Sequence, residues 1–317
     1  MDNEILLSIC IPTYKREAIL VQLVNSILMQ NVDTSLYEIC ITDNSETDET
    51  KLVVEKNFSD VKNLVYKKVT CKGFMNSVEA LKLGQGKFLK LHNDYSILNP
   101  GALQQMIETL RMAEKEHAQP FFTFGALKAQ QGIMTFDDYD SFMSHITIQA
   151  TWSSAFCMWK ESFDSILASG MVPDEMFPHT SFLHRVTDYS EYIVDNASYV
   201  TNVEPKKKGG YNLIDNFVRI YLTMVQEDLL RAQKISQKTY DKIEDDILHF
   251  CANWYYNVKL RPEKFTYRFD DDESIVLQTC ADAGLRKYKQ YKRRRRPVYG
   301  VLCCKELIKK LFSENQE

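Results

Sequence analysis

Three apolar runs in this chain end in clusters of polar side chains: Pro12-Thr13-Tyr14, Asp43-Asn44-Ser45 and His92-Asn93-Asp94. Each cluster carries groups that could do chemistry. A lone carboxylate such as Asp94 can hold a divalent cation, because Mg²⁺ keeps several waters and takes its other ligands from phosphate oxygens. The local alternative is that Asp94 caps the turn or helix that follows in "NDYSILNPGAL", a position where Asp and Asn are favoured. Asp43, in "ITDNSETDET", could accept hydrogen bonds from a base N–H or a ribose hydroxyl while Asn44 and Ser45 shape the turn. It is equally suited to closing that turn ahead of a helix.

The elements that must position these clusters are legible in the hydrophobic spacing. "LLSICIPTY", "YEICITDNS", "NLVYKKV" and "KFLKLHND" read as strands. "REAILVQLVNSILMQ", "ETKLVVEKNF" and "GFMNSVEALKLG" read as helices between them. The order βαβαβαβ predicts an α/β fold with a mostly parallel sheet and helices on both faces. In such sheets ligands bind beyond the carboxyl ends of the strands, where the three clusters lie. Farther on, "FFTFGAL", "SSAFCMWK" and a stretch near "EYIVDNASYV" read as strands, with "ESFDSILAS" helical. "KKKGGYN" (206–212) reads as a boundary loop, and "LIDNFVRIYLTMVQEDLLRAQ" and "YDKIEDDILHFCANWYYNV" as helices of a C-terminal region. The division expected is therefore 1–205 and 206–317.

Composition limits the classes. With 317 residues and 44% hydrophobic content the chain can fill a core. No run is long and apolar enough to span a bilayer, and "MDNEILLSICIPTY" lacks the basic start and cleavage site of a signal peptide, so a cytosolic protein is expected. The eight cysteines are scattered, without paired CxxC sites, and read as reduced packing residues. The net charge of -4 conceals a basic run, "RKYKQYKRRRRP", near the C-terminus.

Taken together, the ordered blocks "LLSICIPTYKREAILVQLVNSILMQ", "YEICITDNSETDET" and "GFMNSVEALKLGQGKFLKLHNDYSILNPGAL" resemble the N-terminal half of a family 2 glycosyltransferase of the GT-A fold. The resemblance implies a Rossmann-like nucleotide-binding sheet and an inverting enzyme that takes a sugar from a nucleotide-sugar. On that pattern Pro12, Thr13 and Tyr14 line the nucleotide site, with Asn44 beside them, and Asp43 contacts the base or ribose. Asn76 lies in the block beneath the donor, near the Gly73 turn. "HND" falls on the family's acidic metal motif, which makes Asp94 the implied ligand of Mg²⁺ or Mn²⁺. Where many relatives carry a run of acids, this chain has His92 and Asn93. Asn93 can bond a ribose hydroxyl but brings no charge.

The segment from Ala150 to Val186 resembles the acceptor side of these enzymes. There Ser153, Ser154 and Ala155 allow close approach, and Trp152 and Trp159 offer flat faces for a sugar, with core packing the alternative for Trp159. Inverting transfer needs a base to take the acceptor proton. The family's Glu-Asp pair aligns with His179 and Thr180. His179 is the expected base, since an imidazole titrates near neutrality. Asp174 and Glu175 are rivals, and a structural or metal-ligand role for His179 stays open.

At the C-terminus the basic run precedes an amphipathic pattern, Val301, Cys304, Ile308 and Leu311, which suits an anionic membrane surface. The partners expected are a nucleotide-sugar donor, a lipid-linked or polysaccharide acceptor of the capsule or O-antigen kind, and the inner face of the cell membrane, but no nucleic acid. An oligomer is left open. A pyrophosphorylase or a dehydrogenase would need a Gly-rich phosphate loop after the first strand, and "IPTYKRE" has none. The remaining rival is a degenerate transferase that binds nucleotide-sugar without turnover.

Overall fold

A computed structural model describes residues 5–127, 132–203, 209–260, 265–269, 300 and 304. The chain divides into two compact units, one made of Met1–Glu204 with Asp228–Thr239, the other of Pro205–Glu227 with Tyr240–Glu317.

The first unit opens with β1 (Leu7–Thr13), α1 (Glu17–Leu28), β2 (Tyr37–Asp43), α2 (Glu49–Phe58), β3 (Leu64–Lys68), a 3₁₀ turn at Gly73–Met75, α3 (Asn76–Leu83) and β4 (Phe88–Leu91). It continues with β5 (Ser96–Leu98), α4 (Ala102–Glu116), β6 (Gln119–Phe122), β7 (Ile133–Phe136), α5 (Tyr139–Ile146), β8 (Cys157–Trp159), α6 (Lys160–Ala168), α7 (Pro178–Leu183), β9 (Tyr192–Asp195) and β10 (Val200–Asn202). The main sheet has the order β3-β2-β1-β4-β8, parallel except for β8 at its edge. Because the strands are added outward from β1 in both directions, the crossover falls beside β1, the place at which open sheets of this topology bind their ligands.

Both faces of this sheet are covered, which is why β1, β2 and β4 are buried along almost their whole length. Leu7, Ile9 and Ile11 of β1 and Tyr37, Ile39 and Ile41 of β2 share a core with Leu20, Leu23, Val24 and Ile27 of α1, Val54 and Phe58 of α2 and the apolar stripe of α4. The alternating residues point to the opposite face, where α3 packs against β1, β2 and β4. At the amino-terminal end of the strands, buried Glu38 accepts hydrogen bonds from Ser8 Oγ at 2.7 Å and from the backbone N–H of Gly86 at 3.2 Å. A Cβ on Gly86 would lie 2.9 Å from the β1 backbone, so only glycine lets that loop close on the sheet.

A smaller sheet, β6-β9-β7, pairs β6 and β9 in parallel and β7 antiparallel. The expected strand over "FFTFGAL" stops at Phe122, because the backbone turns through positive φ at Phe124 (54°) and Gly125 (74°). β5 and β10 form a separate antiparallel pair.

In the second unit Gly209–Asn212 is a strand paired in parallel with Thr266–Arg268, where the sequence suggested a loop. The expected helix after it, which belongs to the second unit as far as Glu227, is wound as a π-helix over Ile214–Tyr221 and Val225–Leu230, with α-geometry only at Leu222–Met224. The long helix Gln237–Leu260 follows, and within this unit Phe250 packs on Phe217 at 4.9 Å and Trp254 on Tyr267 at 4.8 Å. The basic run and the amphipathic pattern lie outside the described residues, apart from Gly300 and Cys304. No helix among the described residues is long and apolar enough to cross a membrane.

Candidate donor crevice and acceptor-side segment

The register of the parallel sheet brings the first two polar clusters level, with Thr13 opposite Asp43. β4 pairs with β1 through Cys10–Leu91, so the chain leaves the sheet at His92 and carries Asp94 back beneath the β1 tip. There the Asp94 carboxylate accepts from the Thr13 hydroxyl at 2.8 Å and from Arg16 Nη1 at 2.6 Å. The backbone N–H of Tyr14 adds a further bond. Burial pushes the Asp94 carboxyl above its ordinary value, and the Arg16 guanidinium, the Thr13 hydroxyl and the Tyr14 N–H pull it back. Asp94 is only 2% exposed, whereas the Arg16 side chain is 33% exposed. Arg16 stands at the start of α1 and also lies over the Tyr95 ring, 5.5 Å from its centre.

Asn76 ties the first two strand ends together. Its amide donates to Thr13 O (3.0 Å), Thr42 O (3.1 Å) and Asn44 Oδ1 (3.1 Å). Asp43 is fully enclosed: it accepts from the Ser45 backbone N–H and hydroxyl on one oxygen and from the Tyr66 hydroxyl (2.9 Å) on the other. Ser45 in turn accepts from the Lys15 N–H at 2.9 Å, where the backbone turns through φ +52°. The exposed groups at this rim include Tyr14, bonded to Glu46 at 3.0 Å, and Phe74, half exposed in the 3₁₀ turn. Pro12 is partly covered.

His92 and Asn93 do not join Asp94 in a ligand cluster. His92 is buried, with Nε2 on Ser96 O at 2.6 Å, and burial lowers its pKa to about 3. Asn93 spans the rim, donating to the Tyr95 hydroxyl (3.0 Å) and accepting from Ser153 (2.9 Å). Among the described residues no three His, Cys, Asp or Glu side chains are grouped to hold a metal. The one carboxylate at the expected place has both oxygens engaged, one of them by a cation. A guanidinium and a metal ion at one carboxylate oxygen would repel each other, so the donor set as folded does not fit a divalent ion.

In the segment expected on the acceptor side, Asp174 closes the turn into α7, accepting from the N–H groups of Met176 and Phe177, both at 2.8 Å. Pro178 occupies the first turn of that helix, where its missing N–H costs nothing. His179 is 5% exposed, its Nε2 has no hydrogen-bond partner among the described residues, and burial lowers its pKa to about 4. Glu175 is the open carboxylate, 69% exposed and 3.2 Å from Lys72, which precedes the Gly73 turn. Trp159 packs in the core, its Nε1 on Ala118 O at 2.9 Å and its ring 4.3 Å from that of Phe88.

The structure thus brings Thr13, Asp43, Asn44, Asn76 and Asp94 into one bonded network and leaves Asp174, Glu175 and His179 on a separate loop and helix. Arg16 does not stand out in the sequence. The signal that could have found it is a basic residue three positions after Thr13, immediately ahead of a helix.

The family model for "Glycosyl transferase family 2" matches residues 8–144, which hold β1 to β4 and therefore the whole crevice, but not the segment carrying Asp174 to His179. The sequence has no significant match among curated proteins. Among solved structures, S. aureus TarS 1-349 in complex with UDP-GlcNAc is similar at TM-score 0.58 and 16% identity, over 92% of each chain. The mannosyltransferase PcManGT from Pyrobaculum calidifontis, in complex with GDP-Man and Mn²⁺, is similar at TM-score 0.51 and 10% identity, over 93% of this chain and 85% of its own. Against a longer S. aureus TarS chain the coverage is 80% of this chain and 44% of that one, with TM-score 0.51 and 16% identity, so this chain spans under half of that relative's length. At these identities the structural likeness speaks for the fold alone, and the family 2 glycosyltransferase model matches the segment 8–144 that holds β1 to β4 and the polar clusters at their tips.

Proposed function

We propose that the protein is an inverting glycosyltransferase that moves one sugar from a nucleotide-sugar to an acceptor hydroxyl. The observation that carries this reading is the bonded network of Thr13, Asn76, Asp94 and Arg16 at the carboxyl ends of the parallel strands, inside the family-matched segment. A crevice of this kind, with a half-open cation above a buried carboxylate, suits a nucleoside diphosphate.

In the reaction the acceptor oxygen bonds to the anomeric carbon as the bond from that carbon to the diphosphate oxygen breaks. The electron pair leaves with the diphosphate, and the hydroxyl proton passes to a base. Of the three acceptor-side candidates, Glu175 is our choice for that base. Asp174 is engaged in its turn and His179 is enclosed, while Glu175 is open and joined through Lys72 to the loop before α3. His179 is the second reading, carried by the unpartnered Nε2.

For the acceptor, a lipid-linked intermediate of a surface polysaccharide, capsule or O-antigen fits the basic run from Arg286 to Pro297, which would hold the enzyme on the anionic inner face of the membrane. Each basic residue near such a surface contributes about 1 kcal/mol. The test is heat stabilisation by a panel of nucleotide-sugars followed by donor turnover, since only a ligand that prefers the folded state raises its stability. A stabilising donor that is consumed supports transfer. Binding without hydrolysis or transfer supports the degenerate, non-catalytic rival.

A further inference from the structure

We infer that Arg16 supplies the fixed positive charge for the donor diphosphate in place of a metal ion, and that Asp94 positions Arg16 rather than ligating a cation. The inference rests on the transferase reading and adds how that site handles charge. Three observations carry it. The carboxylate that would hold a metal is fully engaged, by Arg16 at 2.6 Å, by Thr13 at 2.8 Å and by the Tyr14 N–H. The side chains that flank it are turned to other work, His92 onto Ser96 O and Asn93 onto Tyr95 and Ser153. And Arg16 keeps a third of its side chain exposed while Asp94 is enclosed, so of this ion pair it is the cation that a ligand can reach.

The chemistry follows from this polarity. A guanidinium has five N–H donors, and one nitrogen on Asp94 Oδ1 leaves others for phosphate oxygens. Its delocalised positive charge is there to meet the diphosphate as it leaves with its electron pair. Because Asp94 is held from three sides, Arg16 needs little rearrangement to meet that charge, which is the condition under which a fixed dipole or cation stabilises a departing anion well. Tyr95, beneath the guanidinium, restricts it further.

The test is calorimetric titration of the full chain with UDP, GDP, ADP and dTDP, each in excess EDTA and again with Mn²⁺ or Mg²⁺. We expect at least one nucleoside diphosphate to bind with affinity changed less than about threefold by EDTA. In EDTA, Arg16→Ala should weaken it about 10- to 100-fold, the loss of a charge-assisted hydrogen bond, and Arg16→Lys should recover part. Asp94→Asn should also weaken binding in EDTA, an effect that a pure metal ligand would not have there. The wild-type comparison needs no variant to fold. If binding is lost in EDTA and restored by the metal, or if Arg16→Ala binds as wild type in EDTA, Arg16 does not have this role and the transferase reading stands. If no nucleoside diphosphate binds under either condition, both readings fall.

Discussion

The donor side and the acceptor side proposed for the first unit are built by different means. The donor residues hang from adjacent parallel strands, so the sheet register alone puts Thr13 beside Asp43, and short bonds then join Asn76 and Asp94 to the strand ends. The acceptor residues sit on a loop and the six-residue helix α7, where capping bonds of Asp174 replace the ladder. Enclosure follows the same division in an unexpected sense. On the donor side the carboxylates of Asp43 and Asp94 are buried and the Arg16 cation is half-open; on the acceptor side the imidazole of His179 is buried and the carboxylate of Glu175 is open. Buried polar groups in a lattice of strands are costly unless bonded, and on the donor side the carboxylates of Asp43 and Asp94 are bonded on both oxygens, although Asn76 Oδ1 and His92 Nδ1 have no hydrogen-bond partner among the described residues. The segment with less to hold it leaves Glu175 to solvent and Nε2 of His179 unpaired among the described residues.

The sharpest way to break that contrast is to ask which acceptor-side group takes the proton. Glu175→Gln should lower kcat by about 10²- to 10⁴-fold, the usual weight of a general base, with donor affinity unchanged because the bond Glu175 makes is to Lys72 and not to the Thr13, Asn76 and Asp94 network. His179→Gln should change kcat far less. The reverse pattern in steady-state rates would move the base to His179 and would make its unpaired nitrogen the functional one.

On the donor side the corresponding disturbance is structural. Asn76→Ala removes three hydrogen bonds that join the tips of β1 and β2, and leaves the carbonyls of Thr13 and Thr42 short of a partner in a buried place. Its expected cost is about 2–4 kcal/mol of unfolding free energy, read from urea midpoints. Nucleoside diphosphate affinity should fall with it. A stability change without an affinity change would separate the network from the ligand site.

The same contrast explains how much could be read from the sequence. Alternation and strand-helix order were enough for β1 to β4, their parallel pairing and the clusters at their tips, because period and burial follow from local pattern. What the pattern could not carry was pairing between side chains far apart in the chain. Arg16 and Asp94 are 78 positions apart, and nothing in "YKRE" or "HND" says that one answers the other. A resemblance to metal-dependent relatives suggested a cation at Asp94, and the cation found beside it belongs to this chain. Asp43 was equally suited to ligand and turn, and in the fold it is the turn that holds it. Ahead of the acceptor-side segment β7 and α5 do not show in the sequence, since four-residue strands and eight-residue helices give too few turns of a pattern to stand out. Gly209–Asn212 is a strand through its pairing with Thr266–Arg268, far downstream, which the local pattern does not carry.

The last way to sharpen the comparison uses pH, and its effect is the smallest. Burial holds the His179 pKa at about 4, with the neighbouring His184 adding to the depression and a backbone contact to Thr151 opposing it. An unfolded histidine titrates near 6.5. Between those values the unfolded chain binds the proton and the folded chain does not, so stability falls as pH drops through 6.5 and the loss levels off below about 4. Each tenfold difference in proton affinity between the two states is worth about 1.4 kcal/mol. Lowering the pH from 7 to 5 should therefore remove on the order of 2 kcal/mol through this one side chain. His92, held at about 3 on the donor side, acts in the same direction, whereas the raised carboxyl of Asp94 opposes them at lower pH. The side chains are separated by substitution: His179→Gln should flatten the urea-midpoint profile between pH 7 and 5 relative to wild type. An unchanged slope would mean that α7 opens in solution and leaves His179 hydrated, and an imidazole that hydrates readily would again be a candidate for the base.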